Sequence, residues 1–160
     1  MNAEPPPRRA KLTALRMLAA RRLTEAQLWA KLERKGFADA AISEAIAACK
    51  NAGFLDDALF AELYVHSKRK PLGDARLVAE LVGRGIDRDV AQRKVAASEI
   101  AQDERARSAL EKLLRTKPSL SYPSAARALE RSGFPAPLIY RVLRAHAATH
   151  GPLAALLEEG

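Results

Sequence analysis

Apolar residues recur along this chain every three or four positions, and sustained alternation is absent. Leu12, Leu15 and Leu18 form one such set, Leu28 and Leu32 a second, and Ile42, Ala45, Ile46 and Cys49 a third. Residues at i, i+3 and i+4 share one helix face, so the pattern predicts amphipathic helices. No run of alternating β-branched residues predicts a strand. The expected fold class is all-α.

Polar punctuation sets the helix ends. Pro5-Pro6-Pro7 and Arg8-Arg9 give residues 1–10 the composition of a disordered polyproline tail, with the first helix beginning near Lys11. Thr24-Glu25-Ala26-Gln27 reads as a capping box opening a helix that runs to Lys35. A third helix starts near Asp39 and stops at Gly53. Asp56-Asp57 suits an N-cap and a first turn, and this helix closes at Lys68-Arg69-Lys70 because Pro71 cannot continue it. Gly73-Asp74 opens a helix over Ala75 to Arg84, and Asp87 or Asp89 opens the next. From Val90 to Lys117 no strong breaker stands, and one long helix or two meeting near Ser98 both fit. Pro118 ends that stretch, Pro123 falls in the first turn of another helix, and a last helix spans about Pro137 to Thr149 before Gly151-Pro152.

Three of these helices end alike. Leu28–Phe37 (LWAKLERKGF), Leu77–Ile86 (LVAELVGRGI) and Ala125–Phe134 (AARALERSGF) pivot on Gly36, Gly85 and Gly133, which are 49 and 48 residues apart. Four before each glycine stand Leu32, Leu81 and Leu129; just after it come Phe37, Ile86 and Phe134; ten after it come Ile46, Val95 and Leu143. A fixed period of this size predicts a tandem array of small helical units. Each unit has a helix, a glycine stop, an apolar residue folding back and another helix. The reading is three three-helix units in an elongated, curved array: 11–53, 54–98 and 99–150, with tails at 1–10 and 151–160. Such arrays bind through surfaces rather than buried catalytic pockets.

The formal charge of +8 sharpens that picture. Residues 1–54 carry ten basic against five acidic side chains, 55–97 eight against seven, and 98–160 nine against seven. A basic surface favours polyanions such as nucleic acid. The lone cysteine, Cys49, rules out a disulfide within the chain and reads as a small core residue. The N-terminus lacks a signal-peptide core and no apolar run approaches a membrane span, so a cytoplasmic protein is expected.

Enzyme chemistry finds little footing. His146 and His150 lie one helical turn apart, as two zinc ligands would, but no third ligand stands at motif spacing, and an exposed helix end explains them better. No phosphate loop, nucleophile elbow or dinucleotide fingerprint is present. No cofactor, metal or catalytic residue is expected. The variable flank of the repeated helix is more informative. Gln27, Lys31, Arg34 and Lys35 lie beside the Leu28–Leu32 stripe, at about 100° per residue; the matching positions are Arg76, Glu80, Gly83 and Arg84, then Ser124, Ala128, Arg131 and Ser132. The units share their cores and differ here, where each can acquire its own contacts. A helix-turn-helix DNA reader fits poorly, because the second helix of the first unit (ADAAISEAIAACK) has no basic residue before Lys50; phosphate contact stays open.

The stretch Gly53 to Ile86 (GFLDDALFAELYVHSKRKPLGDARLVAELVGRGI) resembles the RecX family of bacterial recombination regulators. The similarity is carried by Gly53, Phe54-Leu55, Asp56-Asp57, Phe60-Ala61, Tyr64, the basic run Lys68 to Lys70, Gly73, Arg76-Leu77, Leu81 and Gly85-Ile86. The first and third units look like the family's outer units. The resemblance implies a protein that is not an enzyme, lies in the groove of a RecA–DNA filament and inhibits ATP hydrolysis, extension and strand exchange, within recombinational repair and the SOS response. The expected partners are a RecA-type recombinase filament and, more weakly and without sequence preference, single- or double-stranded DNA; a monomer with no membrane partner is expected. The alternative is an autonomous non-specific DNA-binding helical protein. The expected contact residues are Lys31, Arg34, Lys35, Tyr64, Lys68, Arg69, Lys70, Arg76 and Arg84.

Overall fold

The structure, a computed structural model, describes residues 5–67 and 70–150. Among these residues all regular structure is helical: α1 (Pro6–Ala20), α2 (Glu25–Arg34), α3 (Asp39–Asn51), α4 (Asp57–Ser67), α5 (Asp74–Gly83), α6 (Arg88–Ala96), α7 (Gln102–Thr116), α8 (Tyr122–Arg131) and α9 (Ala136–His150). Two helices, α6 and α7, occupy the stretch between Val90 and Lys117, parted at residues 97–101. No described helix is long and apolar enough to cross a membrane.

One expectation fails at the start. α1 begins at Pro6 rather than near Lys11, so residues 6–10 are helical and not a polyproline tail. Proline suits the first helical positions, where its missing N–H has no intrahelical acceptor to lose, and Ala10 is fully buried. The expected tail at 151–160 lies outside the described residues.

The glycine turns repeat to the level of single hydrogen bonds. Gly36, Gly85 and Gly133 have φ of +92°, +90° and +93°, a region that glycine enters without a Cβ penalty. In each, the amide after the glycine donates to the carbonyl of the repeated leucine: Phe37 to Leu32 at 3.3 Å, Ile86 to Leu81 at 3.1 Å, Phe134 to Leu129 at 3.2 Å. Each glycine amide donates to the next carbonyl, of Glu33, Val82 or Glu130, at 2.9 Å. This is the Schellman pairing that satisfies carbonyls at a helix end. Leu32, Leu81 and Leu129 are fully buried, Ile86 and Phe134 nearly so, and Phe37 half-buried. Burying one such leucine stabilises by about 1.5–3 kcal/mol.

The compact units are not the sequence repeats. One comprises Met1–Tyr64 with Glu80–Lys94, the other Val65–Ala79 with Val95–Gly160; α4, α5 and α6 each pass from one to the other. The first has a core of Leu23, Leu28, Leu32, Ile42, Ile46 and Cys49 among others. The second centres on Leu110, Leu129, Phe134, Leu138, Val142 and Leu143.

The same interlock builds both units. In the first, the Thr24 hydroxyl caps α2 by accepting from the Gln27 amide at 3.1 Å and donates to the Arg84 carbonyl at 2.6 Å. A Cβ on Gly85 would overlap the Ala26 side chain. In the second, the Gly73 amide donates to the Ser132 carbonyl at 2.8 Å, and a Cβ on Gly133 would overlap Arg76. Thr24 and Gly73 are equivalent positions, 49 residues apart. The start of one repeat's second helix thus rests on the glycine turn of the next repeat.

Candidate functional site

The expected contact residues fall into two groups, one in each compact unit. In the first unit, Lys31, Arg34 and Lys35 lie on α2 and at its C-cap, with Arg34 and Lys35 exposed and Lys31 half-buried. The Arg34 Nε donates to the Ala30 carbonyl at 3.4 Å, a long bond within its own helix.

Tyr64 and Arg84 meet, but within the fold. The Arg84 guanidinium lies 4.6 Å from the centre of the Tyr64 ring, in cation–π range. Its Nη1 donates to the Glu80 carbonyl at 3.1 Å. The Tyr64 hydroxyl donates to the Glu80 carboxylate at 2.5 Å, and the Tyr64 ring stacks on Phe60 with centroids 6.3 Å apart. Arg84 also carries, through its carbonyl, the bond from Thr24. Glu80 therefore holds both groups, Tyr64 through its carboxylate and Arg84 through its backbone carbonyl, a partnership that the sequence pattern did not reveal.

Lys68 and Arg69 of the basic triplet lie outside the described residues. Lys70 is exposed in the second unit. Arg76, in the first turn of α5, donates from Nη1 to the Arg131 carbonyl at 3.0 Å. Lys70 and Arg76 line an open groove with Lys112 and Lys117 from α7 and its end, and with Arg131 from α8. The last three were not among the expected contact residues. One signal pointed to Arg131, which with Ala128 and Ser132 occupies the variable flank of the third unit; no pattern in the sequence singled out Lys112 or Lys117.

A buried arginine, Arg105, holds the groove's neighbouring loop. It is 8% exposed and donates to the carbonyls of Leu72 at 2.5 Å and Ile100 at 3.1 Å, and to Asp74 Oδ1 at 2.5 Å. Asp74 sits in the first turn of α5, and its backbone amide donates to Gln102 Oε1 at 2.8 Å as a further anchor. These bonds fix where α5 starts, and with it Arg76.

Chemistry-bearing clusters are otherwise sparse. His146 and His150 stack at 4.6 Å, and burial, then the neighbouring His150, pushes the His146 pKa down. No group of three or more His, Cys, Asp or Glu side chains among the described residues is arranged to hold a metal ion. Burial also pushes the Cys49 thiol up, favouring the inert protonated form.

The fold and its exposed cations define a tandem helical-repeat protein. Family models place it further: residues 10–49 match the first three-helix domain of RecX and residues 56–102 the second. A regulatory protein RecX from Amycolatopsis mediterranei (strain U-32) is 32% identical, the alignment covering 98% of this chain and 96% of the relative. Another from Thermobifida fusca (strain YX) is 36% identical over 85% of this chain and 77% of the relative. A crystal structure of RecX from Lactobacillus salivarius superposes with a TM-score of 0.77 at 21% identity, covering 88% of this chain and 96% of that one, and supports the fold. The chain belongs to the RecX family, whose members carry the name of regulatory proteins.

Proposed function

We propose that this protein regulates a RecA-type recombinase by binding the groove of the recombinase–DNA filament and inhibiting its ATP hydrolysis, extension and strand exchange. Membership of the RecX family carries the reading. The repeats support it physically: their cores match column by column, whereas the flanks differ and expose Arg34, Lys35, Lys70 and Arg76. Lys31, Tyr64 and Arg84 in the first unit are contacts as well on this reading, the last two braced within the fold; Lys68 and Arg69, outside the described residues, are added from the family resemblance alone. Binding is the whole activity; no covalent step or cofactor enters it, and the protein acts in the cytoplasm as a monomer. DNA is a weaker, sequence-independent partner, held through phosphates.

Salt separates the filament reading from the DNA-binding alternative. Affinity made of phosphate contacts falls steeply as salt rises, whereas a groove walled by protein adds contacts that salt does not screen. Association with a recombinase filament and with the same DNA, bare, is measured across a salt series. Filament binding that outlasts bare-DNA binding supports the proposal; equal loss on both supports the alternative.

A further inference from the structure

The groove in the second compact unit has a charged rim of one sign. It encloses about 490 Å³, within the size range of ligand-binding clefts. Its rim holds Lys70, Arg76, Lys112, Lys117 and Arg131, and among the described residues no acidic side chain lines it. All five are exposed, and none of Lys70, Lys112, Lys117 and Arg131 joins an ion pair among the described residues. Elsewhere in this unit a surface cation does meet a carboxylate, as Arg141 meets Asp103 at 3.6 Å. Like charges gathered around one cleft repel, and an anionic occupant relieves that repulsion.

The floor decides which anion. It is formed by Pro71, Ala109, Leu113 and Ala128, and among the described residues no aromatic ring lines the groove. Single strands of nucleic acid gain affinity by stacking bases on aromatic side chains, which this groove does not offer. A duplex backbone presents phosphate and sugar, with nothing apolar to bury. A peptide that sets an apolar side chain between acidic ones satisfies both surfaces at once. We propose that this groove is a docking site for an acidic peptide segment with one apolar anchor. The anchor packs on Leu113 and Ala128, and its carboxylates meet Lys112, Lys117 and Arg131.

The groove is built before any occupant arrives. Ala109, Lys112, Leu113 and Thr116 follow i, i+3, i+4, i+7 spacing, so they share one face of α7. The opposite rim is pinned by Arg76 on the Arg131 carbonyl and by the Gly73 amide on the Ser132 carbonyl. A preformed site avoids much of the ordering entropy that binding otherwise costs. The inference stands on the groove alone, so its test contains no recombinase and cannot be confused with failure of the filament reading.

The probe is a fluorescein-labelled peptide with one leucine flanked on both sides by aspartate and glutamate. Its controls are the same peptide with serine for leucine and a labelled DNA duplex. Anisotropy with the full chain reads affinity, and amide chemical shifts read location. The leucine peptide binds, shifting the amides of Leu113, Thr116, Lys117, Arg131 and Ser132. The serine peptide binds more weakly by on the order of ten-fold, the value of one buried leucine. The double variant Lys112→Glu with Lys117→Glu loses on the order of ten-fold or more, and its circular dichroism is unchanged because both side chains are exposed. Equal affinity for the leucine and serine peptides, tighter binding of the duplex in this groove, an unaffected double variant, or no shifts at millimolar peptide would each overturn the proposal.

Discussion

Alanine in place of Gly36, Gly85 or Gly133 separates backbone strain from close packing, because the three turns share a conformation and differ in their surroundings. Their φ angles lie between +90° and +93°, so the strain of placing an L residue there is common to all, about 1 kcal/mol. A Cβ on Gly36 meets nothing within 4 Å. One on Gly85 runs into the Ala26 side chain, in the first turn of α2, which has no flexible end to move aside. One on Gly133 runs into the Arg76 Cβ, with the Arg76 backbone nitrogen only 2.6 Å away. Forced overpacking typically adds about 1–3 kcal/mol. Gly36→Ala should therefore lose about 1 kcal/mol, and Gly85→Ala and Gly133→Ala about 2–4 kcal/mol each. Urea denaturation followed by circular dichroism reads the loss as a shift in midpoint at constant slope. Amide exchange at Ile86 and Phe134 assigns it to a unit. Equal losses at all three glycines, or the largest loss at Gly36, would refute the interlock.

Other outcomes follow from the same contacts. Leu81→Ala empties a fully buried position and should lower stability by about 2–5 kcal/mol in the same denaturation assay. Arg105→Met strands the carbonyls of Leu72 and Ile100 and leaves Asp74 unpaired. Because the Asp74 side chain is 41% exposed, the drop read by thermal unfolding should fall short of the about 3–5 kcal/mol lost when a fully buried pair is broken. The folded-state pKa of His146 lies below 6.5, so its contribution is present above that value and fades as pH falls through the lowered pKa; His146→Gln should flatten this part of the stability–pH curve. Replacing Lys68, Arg69 and Lys70 together by Ala should slow association with the filament most at low salt, the difference shrinking as salt screens the lost charges; stopped-flow association rates check it.

Much of the architecture was legible because it depends on local chemistry that repeats. The leucine-then-glycine columns gave the turns, since a Schellman turn needs glycine at one place and an apolar residue next to it. Thr24 with Gln27 gave a capping box that is formed in full. α1 was misjudged because proline reads as a breaker everywhere except in a helix's first turn, and composition could not place Pro6 and Pro7 there. The division into compact units was hidden because it depends on Thr24 meeting Arg84 and Gly73 meeting Ser132, pairs 60 and 59 residues apart in the chain. Arg105 was hidden for the same reason: two of its partners, Leu72 and Asp74, come from around the start of α5, 33 and 31 residues away. Among the expected contact residues, the sequence showed which positions are charged. It did not show that Glu80 braces Tyr64 and Arg84, or that cations from α5, α7 and α8 gather at one groove.

The most direct test of the filament reading is ATP hydrolysis by a RecA-type recombinase on single-stranded DNA, titrated with this protein. On that reading a tandem of repeats contacts more than one recombinase subunit, so hydrolysis should be suppressed at well below one molecule per subunit. Hydrolysis unchanged at saturating protein, with bare DNA bound tightly under the same conditions, would contradict the account and leave a DNA-binding helical protein in its place.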